Sequence, residues 1–281
     1  MDVRGRMKEE GGVTPMILAE ELSGAYGERR VVESLSFSVE RGEIYGVIGP
    51  NGSGKTTLIR LLSRYMPPRS GAVVMDGRRL GEYTLNALAR KVAVVPQETV
   101  VEFSFTAYDI AAMGRTPYVN RLRFEDREDA RVVEESMRAT DTWELRGRFF
   151  NTLSGGEAQR VVIARCLAQK CEVMMLDEPT AHLDLKYQSG IFSLLRRLRD
   201  TGGITIVATT HDLNLASLYC DRLLLLNGGR KEVEGAPREV ITAERIEKVY
   251  GAECMVFFDE SRGIPVVYPK VQKPEGKEEK R

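Results

Sequence analysis

Val47-Ile48-Gly49-Pro50-Asn51-Gly52-Ser53-Gly54-Lys55-Thr56-Thr57 is the stretch on which the reading of this chain turns. It follows the short apolar run Glu43 to Ile48, which suits a buried strand. It leads into Lys55 to Leu62, where apolar residues recur with helical spacing. Glycine is costly where the backbone must be ordered, so Gly49, Gly52 and Gly54 need a reason. The pattern G-x-x-x-x-G-K-[ST], filled by Gly49, Pro50, Asn51, Gly52, Ser53, Gly54, Lys55 and Thr56 with Thr57 after it, supplies one. Glycines let successive backbone N–H groups turn inward as an anion-binding nest. A helix starting near Gly54 aims its positive end at the same point. Lys55 then reaches β and γ phosphates, and the Thr56 hydroxyl is placed for Mg²⁺.

Two further stretches fit that chemistry. Val173-Met174-Met175-Leu176-Asp177-Glu178 is an apolar strand that delivers two carboxylates at its C-terminal end, the end where ligands bind in parallel sheets. Asp177 is the candidate Mg²⁺ ligand, and Glu178 the group that orients or deprotonates an attacking water. Leu153-Ser154-Gly155-Gly156-Glu157 opens the helical run Ala158 to Ala168. It reads either as an anion site at a helix start or as an ordinary cap, with Ser154 as N-cap and Glu157 closing a capping box.

Around these motifs the chain alternates strand and helix, which implies a parallel sheet. Ile17 to Val39 reads as paired strands about a turn at Gly24 to Gly27. Ala72 to Met75, Val92 to Val95 and Ile204 to Thr209 read as strands, and Met66-Pro67-Pro68 as the stop of the first helix. From about Ala107 to Gly147 the pattern is helical and charged, with Val132, Val133, Met137 and Leu145 on one face. Leu223 to Val233 reads as a hairpin about Asn227-Gly228-Gly229, and Cys254 to Tyr268 as a second. The ends, MDVRGRMKEEGGVTP and KPEGKEEKR, are polar and expected to be disordered.

Composition narrows the class. Hydrophobic residues make up 42% and charged residues 29% of 281, as in a soluble globular protein. Lys plus Arg and Asp plus Glu both number 41, and this balance argues against a protein that coats nucleic acid. The four cysteines, Cys166, Cys171, Cys220 and Cys254, form no C-x-x-C pair and read as free thiols. No leader-like apolar region and no run long enough to span a bilayer is visible.

Taken together and in this order, the motifs resemble those of the ATPase subunit of ATP-binding cassette (ABC) transporters, over about residues 16 to 240. GPNGSGKTT resembles the family's Walker A, LSGGE its signature and VMMLDEP its Walker B. Gln97 resembles the Q-loop glutamine, Thr180 to Asp184 (including His182) the D-loop, and His211 in ATTHDLN the switch histidine. Tyr26 matches the aromatic that stacks on adenine. The resemblance implies an α/β fold: a P-loop NTPase (RecA-like) core with an antiparallel β subdomain and an inserted helical subdomain. Its expected layout is a disordered extension (1–15), the ATPase domain (16–240, helical insert about 100–158), a C-terminal helix and hairpin (241–269) and a charged tail (270–281).

The resemblance also implies a mechanism. ATP with Mg²⁺ sits between two copies arranged head to tail. Ser154, Gly155, Gly156 and Glu157 of one copy then face the Walker A of the other, and Asp184 links the two sites. Glu178, His211 and Gln97 act on the attacking water, and Gln97 joins Thr56 and Asp177 around the metal. The expected partners are a second copy, transmembrane permease subunits and, indirectly, a substrate-binding protein, with the chain peripheral on the cytoplasmic face of the membrane. Phe103 to Tyr118 (FSFTAYDIAAMGRTPY) resembles the importers of ferric siderophores, haem and cobalamin. Other importer branches, including energy-coupling-factor ATPases, and a soluble ATPase of iron–sulfur assembly stay open as alternatives. A repair ATPase does not fit, because about 100 residues without sustained heptads separate Walker A from the signature.

Overall fold

The computed structural model describes residues 14–97, 99, 103–118, 127–181 and 183–270. His182 and nearly all of both expected tails lie outside the described residues. In chain order the elements begin with β1 (Ile17–Tyr26), β2 (Arg29–Val39), β3 (Ile44–Ile48), α1 (Lys55–Leu62), β4 (Ser70–Met75), β5 (Arg78–Arg79), α2 (Leu85–Lys91) and β6 (Val92–Val95). Next come α3 (Ala107–Ala112), α4 (Arg127–Ala139), α5 (Gly155–Ala168), β7 (Val173–Leu176), α6 (Leu185–Gly202), β8 (Thr205–Thr210) and α7 (Leu213–Tyr219). The chain ends through β9 (Arg222–Asn227), β10 (Arg230–Gly235), α8 (Pro237–Val240), α9 (Ala243–Tyr250), β11 (Cys254–Asp259) and β12 (Ile264–Pro269).

The central sheet has the order β10-β9-β3-β8-β7-β6. Its strands run parallel except β10, which returns antiparallel at one edge. Every residue of β3, β7 and β8 is buried, as a sheet covered on both faces requires. Alternation along β3 shows the two layers: Ile44 and Ile48 join a core with α3 to α7, while Tyr45 and Val47 join a core with α1 and the antiparallel sheet. That second sheet has the order β2-β1-β4-β5. Gly49 begins the loop at the C-terminal end of β3, and Asp177 and His211 follow β7 and β8, so the sheet brings the motifs to one edge.

Three expectations need correction. β1 runs on to Tyr26, with Gly24 paired to Val32, so the turn is Gly27-Glu28 rather than Gly24 to Gly27. Helix α1 stops at Leu62, before the prolines, with Ser63 as its cap. Leu145 is not on the face of α4 with Val132, Val133 and Met137. It lies in a separate 3₁₀ turn, Trp143–Leu145, packed partly buried against the same core. The four cysteines are free thiols, and all four are buried.

The MGRTPY stretch has a packing reason. It forms a 3₁₀ turn (Met113–Tyr118) laid against α5. A Cβ on Gly114 would stand 2.1 Å from the Arg165 carbonyl oxygen. The buried Arg115 guanidinium donates to Ala168 O at 2.7 Å, at the end of α5, and to Asp129 Oδ1 at 2.7 Å on α4. Gly114→Ala therefore lowers stability by about 1–3 kcal/mol through overpacking. Gly147→Ala, with nothing within 4 Å of its Cβ, leaves it unchanged. Parallel denaturant melts of the two variants check this.

Candidate active site

Between β3 and α1 the backbone takes angles that side chains resist. Gly49, Gly52 and Gly54 have φ of 152°, 78° and 102°. A Cβ at Gly49 would lie 2.4 Å from Leu226 O, and one at Gly54 2.9 Å from Val31 O. The β9–β10 turn braces the loop from outside: Gly229 N donates to Ser53 O at 3.1 Å, and Gly229 O accepts from Glu33 N at 2.8 Å. Lys55 opens α1 and is only 6% exposed. A buried ammonium costs several kcal/mol unless it is paired. Here Nζ donates to Gly49 O at 2.9 Å and Pro50 O at 3.2 Å and lies 3.5 Å from Glu178 Oε1.

The two carboxylates after β7 share one anchor. The buried Thr209 hydroxyl on β8 donates to Asp177 Oδ1 at 2.8 Å and accepts from Glu178 N at 2.8 Å. Glu178 has φ 46°, a left-handed conformation that costs a non-glycine residue about 1–3 kcal/mol. That turn directs its side chain toward Lys55. Its other oxygen, Oε2, is 3.3 Å from His211 Nδ1 and 3.5 Å from Gln97 Nε2. His211 is 59% exposed and Gln97 is also exposed, so both can meet a ligand above the carboxylate.

Lys55, Gln97, Glu178 and His211 line one cleft of 1120 Å³, while Asp177 and Thr209 lie buried behind it. Its walls include Pro50, Asn51, Gly52, Gly54, Lys55, Thr56, Thr57, Gln97, Glu178 and His211, with the exposed Tyr26 among them. The Tyr26 hydroxyl accepts from Arg60 Nη1 at 2.8 Å. The glycine cradle, the buried lysine and the aromatic together fit a nucleoside triphosphate. Thr56 and Asp177 are oxygen donors of the kind Mg²⁺ takes, completed by phosphates; Thr56 lines the cleft, and Asp177 is buried next to Glu178 and accepts from Thr209. Among the described residues no three His, Cys, Asp or Glu cluster as an all-protein metal site.

The structure does not bring the signature to this cleft. Ser154 caps α5 with the full capping box: Ser154 N donates to Glu157 Oε2 at 2.8 Å, and Glu157 N to Ser154 Oγ at 3.4 Å. The Ser154 N–H, foremost, and its hydroxyl hold the Glu157 carboxyl below its usual range. Ser154 and Gly155 are exposed, while Gly156 lies under Tyr187, whose Cδ1 would be 2.4 Å from a Cβ. None of the four lines the Walker A cleft, although Gly155 lines a smaller one of 190 Å³ with Gln97 and Glu178. Asp184 is exposed at the start of α6 and makes no capping hydrogen bond. The sequence reading missed Thr209, Gly229, Arg29 and Tyr250. Thr209, on a strand, and Gly229, in the β9–β10 turn, touch the site residues from positions distant in sequence; Arg29 and Tyr250 line the cleft.

Comparison with known proteins gives the same class. The family model described as ABC transporter matches residues 32–181, more than half of the chain. The chain belongs to the ABC transporter family, as one of its ATP-binding subunits. It is 39% identical over 250 residues to the ferric enterobactin transport ATP-binding protein FepC of Escherichia coli K12, covering 89% of this chain and 92% of that one. It is 40% identical over 254 residues to the hemin import ATP-binding protein HmuV of Nocardia farcinica, covering 90% and 87%. A solved inward-facing structure of a transporter assigned to the metal-chelate type superposes with TM-score 0.81 at 28% identity, covering 92% of this chain and 99% of that one.

Thr209→Val keeps the shape of the side chain and removes its hydroxyl. The Glu178 N–H and one Asp177 oxygen then lose their partner, at about 1–3 kcal/mol. The variant is expected to bind ATP while kcat falls about tenfold or more, because the carboxylate loses its anchor rather than the cradle its shape. Steady-state ATPase kinetics with the KM reported separately checks this.

Proposed function

We propose that this chain hydrolyses ATP to power import of a metal chelate (a ferric siderophore, haem or cobalamin) through separate permease subunits. The observation that carries the reading is Glu178: a carboxylate held between Lys55, Gln97 and His211 at the mouth of a phosphate cradle. The transport branch is supported by the relatives, which are named for ferric enterobactin and hemin, and by the metal-chelate structural neighbour.

In this reading Tyr26 takes the adenine face, and the Walker A backbone with Lys55 takes the β and γ phosphates. Glu178 accepts the proton of the attacking water as its oxygen bonds to the terminal phosphorus and the bond to the leaving ADP oxygen breaks. His211 and Gln97, hydrogen-bonded to the same carboxylate oxygen, orient that water. Thr56 and Asp177, with Gln97, would hold Mg²⁺, which neutralises phosphate charge when bound. The exposed Ser154 and Gly155, with the half-buried Glu157 that caps them, serve a second copy in head-to-tail array, and Asp184 lies between the two sites. Gly156 contributes its amide, its Cα being packed under Tyr187. Among the described residues no helix is long and apolar enough to cross a membrane. A peripheral place on the cytoplasmic face, beside the permease, follows from this reading. A binding protein delivers the chelate to the permease, and this chain touches neither the chelate nor nucleic acid.

Affinity purification of the tagged chain from detergent-solubilised membranes tests the assignment. The expected co-purifying partner is a polytopic permease. Reconstituted with it, the ATPase is expected to be stimulated severalfold by chelate-loaded binding protein. Recovery of soluble scaffold proteins alone, with ATPase activity intact, contradicts the import reading.

A further inference from the structure

The C-terminal segment, which carries no motif, reaches the nucleotide cleft through one residue. Tyr250, the last residue of α9, lines that cleft beside the Walker A loop. Its hydroxyl oxygen is buried and has no hydrogen-bond partner among the described residues. The Gly49 N–H stands next to it without closing a hydrogen bond, and burial pushes the phenol well above its ordinary range. The group therefore stays protonated, with one donor to offer.

The segment holds this hydroxyl firmly. Helix α9 starts on a Thr242 cap, buries Ile246 and Val249, and ends at Gly251 with φ 67°. The following hairpin is stitched to α7, the helix after His211. Val267 N donates to Asn214 Oδ1 at 2.8 Å, Asn214 Nδ2 to Val267 O at 3.2 Å, and Ser217 Oγ to Pro265 O at 2.7 Å. Its Gly49 neighbour relates the hydroxyl to one end of the cleft. The Gly49 carbonyl accepts from Lys55 Nζ at 2.9 Å, and that amine is 3.5 Å from Glu178. Gly49 thus belongs to the end where the terminal phosphates meet the reacting carboxylate, whereas Tyr26, bonded to Arg60, belongs to the antiparallel sheet.

A buried hydroxyl without a partner is a cost that phenylalanine would avoid. We propose that Tyr250 is a further nucleotide-binding residue, whose hydroxyl donates to the terminal phosphoryl group of ATP and so ties the C-terminal segment to the nucleotide state. This deepens the reading of the cleft as the ATP site and rests on it.

The test compares the wild type, Tyr250→Phe and Lys55→Ala by calorimetric titration with β,γ-imido-ATP and with ADP, alongside thermal melts without nucleotide. The expected result for Tyr250→Phe is an unchanged or raised melting temperature. Its affinity for β,γ-imido-ATP is expected to fall about tenfold, as for a hydrogen bond to a charged group. Its affinity for ADP is expected to stay within about twofold, since ADP lacks the phosphoryl group in question. Lys55→Ala, which removes the shared cation, weakens both ligands. Tyr250→Phe that binds both like the wild type overturns the proposal. So does a parallel loss of both with a lowered melting temperature, which marks a packing role. A wild type that binds neither nucleotide overturns the ATP-site reading as well.

Discussion

Glu178 brings a negative charge to the edge of a cleft whose floor already holds a buried ammonium. Lys55 needs that carboxylate and the Gly49 and Pro50 carbonyls, because an unpaired ammonium at this depth costs several kcal/mol. The attraction sets the direction of the Glu178 side chain, and the Thr209 hydroxyl holds the left-handed backbone that permits it. Gln97 and His211 then meet the free side of the same carboxylate. The loop, the strand ends and His211 thus meet at one carboxylate. These parts come from β3, β6, β7 and β8, which the sheet order places together.

Much of this site was legible because its signals are local. A glycine pattern with Lys55 and Thr56 needs only a strand before it and a helix after it. Both are present, and α1 runs over the residues its periodicity marks, Lys55 to Leu62. Asp177 and Glu178 were legible as charges at the end of an apolar strand. Ser154 and Glu157 were legible as a cap, and the capping box forms. Thr209 was not legible, since a threonine in a β-rich run is ordinary until β8 is laid beside β7. Gly229 looked like a hairpin glycine, and its second task, supporting Ser53 O, depends on tertiary contact. The turn after β1 was misplaced because Gly24 is a strand residue packed tightly on Leu61, where a Cβ would come within 2.8 Å. Leu145 was misplaced because helical periodicity was carried past the end of α4.

The α5 helix links the site to the rest of the molecule. Its N-terminus is the exposed signature, its middle is buried against the sheet, and its C-terminal end is held by Gly114 and Arg115. The stretch that resembles chelate importers thus packs on the helix that presents the signature. The hairpin at the other end of the chain is hydrogen-bonded to α7, just after His211. Both features attach outlying segments to elements that carry candidate site residues.

The account stands most directly on the role of Glu178. Glu178→Gln keeps the size and hydrogen-bonding reach of the side chain and removes its capacity to accept a proton. Single-turnover ATP hydrolysis, with nucleotide binding and subunit mass followed on the same samples, gives the decisive measurement. The account predicts retained ATP binding, hydrolysis slowed about 100-fold or more, and an ATP-dependent shift from monomer to dimer. Hydrolysis at the native rate in this variant would contradict it.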